Sequence, residues 1–239
     1  MTQLTGTSEI LEQGEVEVLG LLPYSSNYTF LARLRSEDAE TFAVYKPERG
    51  ERPLWDFPPG TLAAREVASF RVSEAAGWGI VPPTVLREDA PLGPGSLQLF
   101  VEHDPDVHYL TLMQQRLEDF RIFAALDVVI NNADRKAGHV LQDAEGRVWA
   151  VDHGLTFHTE PKLRTVIWQF AEEPLGDPLR NQLDRLGTEL ARSGGVGDEL
   201  ANLLSPGESA ATLARVETLL VDDCFPAPGS ERPLPWPLI

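Results

Sequence analysis

The chain has 239 residues, 42% hydrophobic and 24% charged, enough for one large domain or two small lobes with a sizeable core. A formal net charge of −17 repels nucleic-acid phosphates and anionic headgroups, so neither nucleic-acid binding nor stable membrane association is expected. A single cysteine, Cys224, rules out an internal disulfide, no apolar run reaches about 18 residues, and no signal-peptide pattern opens the chain, so a cytoplasmic location is expected.

Residues 15–22, EVEVLGLL, alternate and then run apolar, as a strand does; YTFLARLR at 28–35 and TFAVYK at 41–46 alternate again. The polar turns PYSSN and SEDAE between them predict an antiparallel meander. A proline-rich loop over 48–60 leads into TLAAREVASFRVSEAAG, where Leu62, Val67, Phe70 and Val72 recur at helical spacing. Thr61 is expected to cap this helix and Gly77 to end it. Two more strands are expected around 80–87 and 96–102, joined by the turn-rich DAPLGPG.

From about residue 103 the pattern turns helical. YLTLMQQRLEDFRIFAALDVVINN keeps a helical period, and HVLQDAEGRVWAVD reads as a short hairpin turning on DAEG. PLRNQLDRLGTELARS and ESAATLARVETLLVDDCF read as amphipathic helices. The tail PAPGSERPLPWPLI is expected to be extended, packing through Trp236 or fraying. Strands and one helix followed by mainly helices predict an α+β fold, with a β-rich lobe over 1–102 and a helical lobe over 103–239.

Three residues stand where chemistry is possible. Lys46 ends a strand and precedes a helix carrying Glu66; it is either a solvated strand end or an ammonium held by that glutamate toward nucleotide phosphates. Asp134 follows the apolar helix end FAALDVVINNA, and Asp152 follows the strand VWAV. Each alone reads as a cap or turn residue. Two rim carboxylates joined by a short hairpin have the layout of a phosphotransfer cleft, one for the acceptor hydroxyl and one for a metal. His103 and His108 flank DPDV without a third metal-ligand shell. The chain holds no H-E-x-x-H, no Cys–His zinc spacing, no G-x-S-x-G elbow and no P-loop.

FAVYKP, REVASFRVSEAAGWGIVPPT, GSLQLFV, NNADRKAGHVL and AVDHGLTF occur in this order. Together they resemble the catalytic domain of the phosphatidylinositol 3-/4-kinase superfamily, nearest to the type II phosphatidylinositol 4-kinases and to an actinobacterial branch. The resemblance runs from about residue 25 to 158. It implies a two-lobed protein-kinase-like fold using ATP with Mg²⁺ or Mn²⁺. Lys46 then corresponds to the ATP-phosphate lysine and Glu66 to its helix partner. Ser25 and Ser26 fall on the phosphate-covering loop, which has no glycine here. Gln98, Phe100 and Val101 fall on the interlobe hinge that meets adenine through its backbone. Asp134, with Arg135 beside it, corresponds to the catalytic aspartate, and Asp152 to the metal-binding one.

His139 departs from the pattern, since lipid kinases usually have asparagine five residues after the catalytic aspartate. Imidazole suits Mn²⁺ or Zn²⁺ better than Mg²⁺, so His139 is either a ligand with altered preference, a weak ligand, or a packing residue. His153 adds a second imidazole nearby. The resulting expectation is an ATP- and metal-dependent kinase acting on a protein or small-molecule hydroxyl, with a protein partner possible. The alternatives are a nucleotide-binding pseudokinase, a phosphatidylinositol kinase and a nucleotidyltransferase on the same fold.

Overall fold

The computed structural model describes residues 2–23, 27–229 and 232–239, with side chains from Ser8 onward. Strands β1 (Glu15–Leu21), β2 (Phe30–Arg35) and β3 (Glu40–Pro47) form the expected antiparallel meander. With β4 (Thr84–Arg87) and β5 (Gly95–Leu99) they make a five-stranded sheet in the order β1-β2-β3-β5-β4. The period-2 pattern places Ala32, Leu34, Ala43, Tyr45, Val85 and Leu97 on one buried face.

That face is covered by a helix the sequence reading did not assign, α1 (Thr2–Gln13), through Ile10 and Leu11. Its C-terminus has no basic residue of its own. The buried guanidinium of Arg87, from β4, donates instead to the Leu11 and Gly14 carbonyls, at 3.0 and 3.2 Å. A helix end capped from 70 or more residues away leaves no local trace in sequence.

Helix α2 (Leu62–Ala76) ends at Gly77, whose φ of +74° suits glycine alone without strain. Its start differs from expectation. Thr61 makes no side-chain cap bond; its hydroxyl donates to the Pro58 carbonyl. The cap is supplied by Glu51, whose carboxylate accepts the N–H groups of Gly60, Leu62 and Ala63. β4 and β5 are shorter than predicted because Pro82 and Pro83 precede one, while the chain leaves the sheet after Leu99 at the other.

The second lobe is helical. The stretch read as one helical run splits into α3 (Tyr109–Leu112) and α4 (Leu117–Val129), and its Tyr109, Phe120 and Phe123 rings stack edge-to-face. The hairpin β6 (Val140–Gln142) and β7 (Val148–Ala150) turns at Gly146, as expected. Residues 165–175 are irregular. Helices α5 (Asp177–Ala191), α6 (Val196–Ala201, not anticipated) and α7 (Pro206–Asp222) complete the lobe. A single apolar core joins α4, α5 and α7 to Ala68, Phe70, Val72 and Ala76 of α2, so α2 is packed on by both lobes. The architecture is α+β and two-lobed.

The tail does not pack through Trp236, which is exposed. It is held by its backbone. The Pro233 carbonyl accepts from Thr165 N–H and Trp168 Nε1–H, and the Leu238 carbonyl from Ala137 N–H. No described helix is long and apolar enough to cross a membrane.

Candidate active site

The site lies where the sheet lobe meets the helical lobe. Lys46 projects from β3, and its ammonium donates to Glu66 Oε1 of α2 and, at 2.8 Å, to Asp152 Oδ1 just after β7. Burial by itself would lower the Lys46 pKa, but the Asp152 and Glu66 carboxylates outweigh it and hold the ammonium above its ordinary value. Asp152 feels the same balance reversed. Burial pushes its carboxyl up, while the Lys46 ammonium pulls it well below the usual carboxylate range. Its side chain remains 51% exposed, so a fixed anion opens on the cleft. Asp152 also has φ +61°, a strained conformation for a non-glycine residue that turns the chain sharply after β7.

Asp134 is held by its own loop. Just beyond the end of α4 the chain turns at Asn131, with φ +49°, and Asn132 folds back so that its side-chain amide donates to Asp127 Oδ1 while its side-chain oxygen accepts Asp134 N–H at 3.0 Å. Asn131 holds the facing segment, donating to the His158 and Glu160 carbonyls and accepting Lys162 N–H. Burial raises the Asp134 pKa above its ordinary value, opposed by Lys136, which donates to Asp134 Oδ2 at 2.8 Å.

Arg135 does not reach the cleft. It is fully buried, paired with Asp127 and donating to the His139 and Val151 carbonyls. A fourth bond, 2.7 Å to His153 Nε2, makes that nitrogen the acceptor and leaves the His153 proton on Nδ1. His153 N–H in turn donates to Glu66 Oε2 at 2.9 Å. One buried arginine thus ties the loop of Asp134 to the loop of Asp152, and His153 carries the tie across to α2.

His139 ends a single 3-10 turn, Ala137–His139. Its Nε2 lies 3.3 Å from Asp152 Oδ2, and Nδ1 accepts Lys136 N–H at 3.4 Å. Burial lowers the imidazole pKa to about 4, opposed by Asp152, so the ring is neutral at physiological pH. A neutral imidazole beside a carboxylate is a donor pair that fits a divalent cation whose remaining ligands are phosphate oxygens and water. No third His, Cys, Asp or Glu joins them among the described residues.

The remaining expected residues are placed as follows. Ser25 and Ser26 lie outside the described residues. Gln98 is buried in β5 with its amide donating to Thr84 Oγ1, so its side chain is committed to the sheet. Phe100 N–H donates to the Phe42 carbonyl, and the Val101 carbonyl accepts from His103 Nδ1. Val101 N–H has no partner among the described residues. Val101 therefore keeps a backbone donor for a ligand.

Asn131, Asn132, Asp127 and Lys136 were not singled out from sequence. One signal was available for Lys136. The chain has three lysines against seventeen arginines. Lys46 stands on Asp152, Lys136 on Asp134, and Lys162 on Asp56 with its ammonium 4.9 Å above the Trp55 ring. The scarce compact ammonium is reserved for this region.

Comparison with known proteins bears on family and fold. The profile of the family described as phosphatidylinositol 3- and 4-kinase matches residues 29–188. Protein Rv2133c of Mycobacterium tuberculosis is 38% identical over 272 residues, covering 99% of this chain and 97% of that protein. Phosphatidylinositol 4-kinase gamma 4 of Oryza sativa subsp. japonica is 30% identical over 138 residues, 49% of this chain and 24% of that protein. In fold, the chain resembles the crystal structure of the Golgi casein kinase with Mn/ADP bound, with a TM-score of 0.61 at 14% identity over 98% of this chain and 79% of that one.

Proposed function

The chain belongs to the phosphatidylinositol 3- and 4-kinase family, and we propose on that premise that it is an ATP- and divalent-cation-dependent phosphotransferase. Its acceptor is a hydroxyl on a protein or a small molecule. We assign residues 1–102 to the nucleotide-binding lobe and 103–239 to the helical lobe. The observation that carries the reading is the Lys46 ammonium fixed between Glu66 of α2 and Asp152 of the opposite lobe. A rigid cation beside a cleft-facing carboxylate is what phosphate oxygens and their metal require. The nearby Mn/ADP-bound fold neighbour supports nucleotide and metal use.

In this reading Lys46 orients the phosphates and Val101 N–H meets the adenine edge. Asp152 and His139 would hold the cation, which when bound supplies charge neutralisation at the phosphates. Asp134 orients the acceptor hydroxyl and takes its proton as the γ-phosphorus–oxygen bond to ADP breaks and the new phosphoester bond forms. The raised Asp134 pKa favours proton acceptance. The net charge of −17 supports a soluble acceptor over a lipid in an anionic bilayer.

One observation favours a second reading, a nucleotide-binding module without transfer: both oxygens of Asp152 already face side chains of the protein, Lys46 and His139. Two experiments separate the readings. ATP with Mn²⁺ or Mg²⁺ should raise the melting temperature, and Lys46→Ala or Asp152→Ala should each remove that rise. ATP labelled at the γ-phosphate should then pass its label to an acceptor in a cell extract, whereas ATP labelled at the α-phosphate should not. The absence of any nucleotide-dependent rise in the wild-type protein would overturn both readings. A rise with no transfer leaves the binding module, and transfer of the α-label points to nucleotidyl transfer.

A further inference from the structure

We infer that His139 is a direct cation ligand through Nε2, and that it makes the cleft favour divalent cations of the first transition row over Mg²⁺. The inference rests on the phosphotransferase reading of the same cleft and names its metal class.

Three features of the turn support it. The imidazole is anchored at its backbone, because the His139 carbonyl accepts from both Arg135 Nη1 and Val151 N–H. Residue 151 immediately precedes Asp152, so the backbones that carry the imidazole and the carboxylate are tied to one another by a single hydrogen bond. Second, Nε2 is the nitrogen directed at Asp152, 3.3 Å from Oδ2, while the carboxylate is 51% exposed to the cleft. A cation entering on the exposed side of Asp152 meets that nitrogen. Third, the contact opposing ligation is weak. Lys136 N–H reaches Nδ1 only at 3.4 Å, so little is lost when the ring proton resides on Nδ1 and the Nε2 lone pair faces the ion.

The choice of cation follows from the donor atoms. Mg²⁺ demands near-ideal octahedral oxygen coordination and accepts imidazole poorly. Divalent ions of the first transition row accept imidazole nitrogen more readily, with affinity rising from Mn²⁺ along the row, so Mn²⁺ is the most stringent probe of a nitrogen ligand. His153, the other imidazole nearby, is excluded as a ligand. It is fully buried and its Nε2 accepts from Arg135.

The test uses the full-length protein with MnCl₂, alone and with ADP. Electron spin-echo modulation of bound Mn²⁺ should show a directly coordinated ¹⁴N in the wild type, and His139→Asn should abolish it. An asparagine presents an amide oxygen instead. In competition titrations with ADP present, His139→Asn should lower the ratio of Mn²⁺ to Mg²⁺ affinity. A bound Mn²⁺ without nitrogen modulation in the wild type overturns the inference, as does a failure to bind Mn²⁺ at all. An unchanged affinity ratio in His139→Asn also overturns it. The wild-type spectrum decides the matter even where the variant folds poorly. Nitrogen modulation from Mn²⁺ in protein that ADP does not bind would uphold the ligand and sink the phosphotransferase reading.

Discussion

Asp134, Arg135 and Lys136 are consecutive, yet their surroundings assign them three different kinds of work. Asp134 is half-sheltered with a raised pKa, Arg135 is sealed in the core, and Lys136 pairs with Asp134 at 2.8 Å. Replacing Asp134 with asparagine should leave the nucleotide-dependent melting shift intact while slowing transfer by about 10²–10⁴-fold, the usual reach of a positioned base. Retained transfer would remove the base role. Arg135→Ala should instead strike stability. It strands the buried Asp127 carboxylate, a change that costs about 3–5 kcal/mol and is measurable by urea unfolding. Lys136→Ala touches only a partly exposed pair, so its stability cost should stay within about 1 kcal/mol. A large loss there would mean the pair holds up the loop.

At the scale of elements, α2 carries Glu66 into the site, and its orientation depends on Glu51 eleven residues before its first turn. Glu51→Ala removes the acceptor for three N–H groups at the helix start, and should cost about 1–2 kcal/mol in chemical unfolding. It should also weaken nucleotide-dependent stabilisation, because Glu66 then holds Lys46 less firmly; a variant binding nucleotide as well as wild type would separate the cap from the site. This cap marks the limit of what could be read from the chain. The meander, α2, the β6–β7 hairpin and α5 and α7 were legible because each carries its own periodicity and its own turn residues. Lys46, Glu66, Asp134, Asp152 and His139 were legible as positions through the order of motifs. What escaped was held together over long distances: the Arg87 cap on α1, the Glu51 cap on α2, and the backbone anchoring of the tail. Arg135 was read beside the catalytic aspartate, and only packing shows that its guanidinium points inward. The asparagine pair 131–132 looked like a helix end, which it is, but its side chains also set the positions of Asp134 and of the segment facing it.

Across the whole molecule, the lobes are joined by charged groups taken out of water. Glu66 receives Lys46 from its own lobe and His153 N–H from the other, and Arg65 of α2 pairs with Glu208 of α7. His139 and His153 sit inside this junction as neutral rings, each with a pKa pushed down first by burial. The sign of the consequence is fixed by linkage. In the unfolded chain both titrate near the ordinary value of 6.5, whereas in the folded protein they stay neutral to lower pH, to about 4 for His139. The unfolded state therefore binds more protons than the native state as pH falls below about 6.5, and stability declines through that window. Each histidine contributes a slope of at most about 1.4 kcal/mol per pH unit. Metal-free protein should hold its melting temperature above pH 6.5 and lose it steadily toward pH 4, before most exposed carboxylates have titrated. His153→Phe should flatten that decline, whatever its effect on stability at neutral pH, because the phenyl ring binds no proton in either state. A decline of unchanged steepness in His153→Phe would assign the acid sensitivity to His139 or to the carboxylates, and the double variant with His139→Asn would tell these apart.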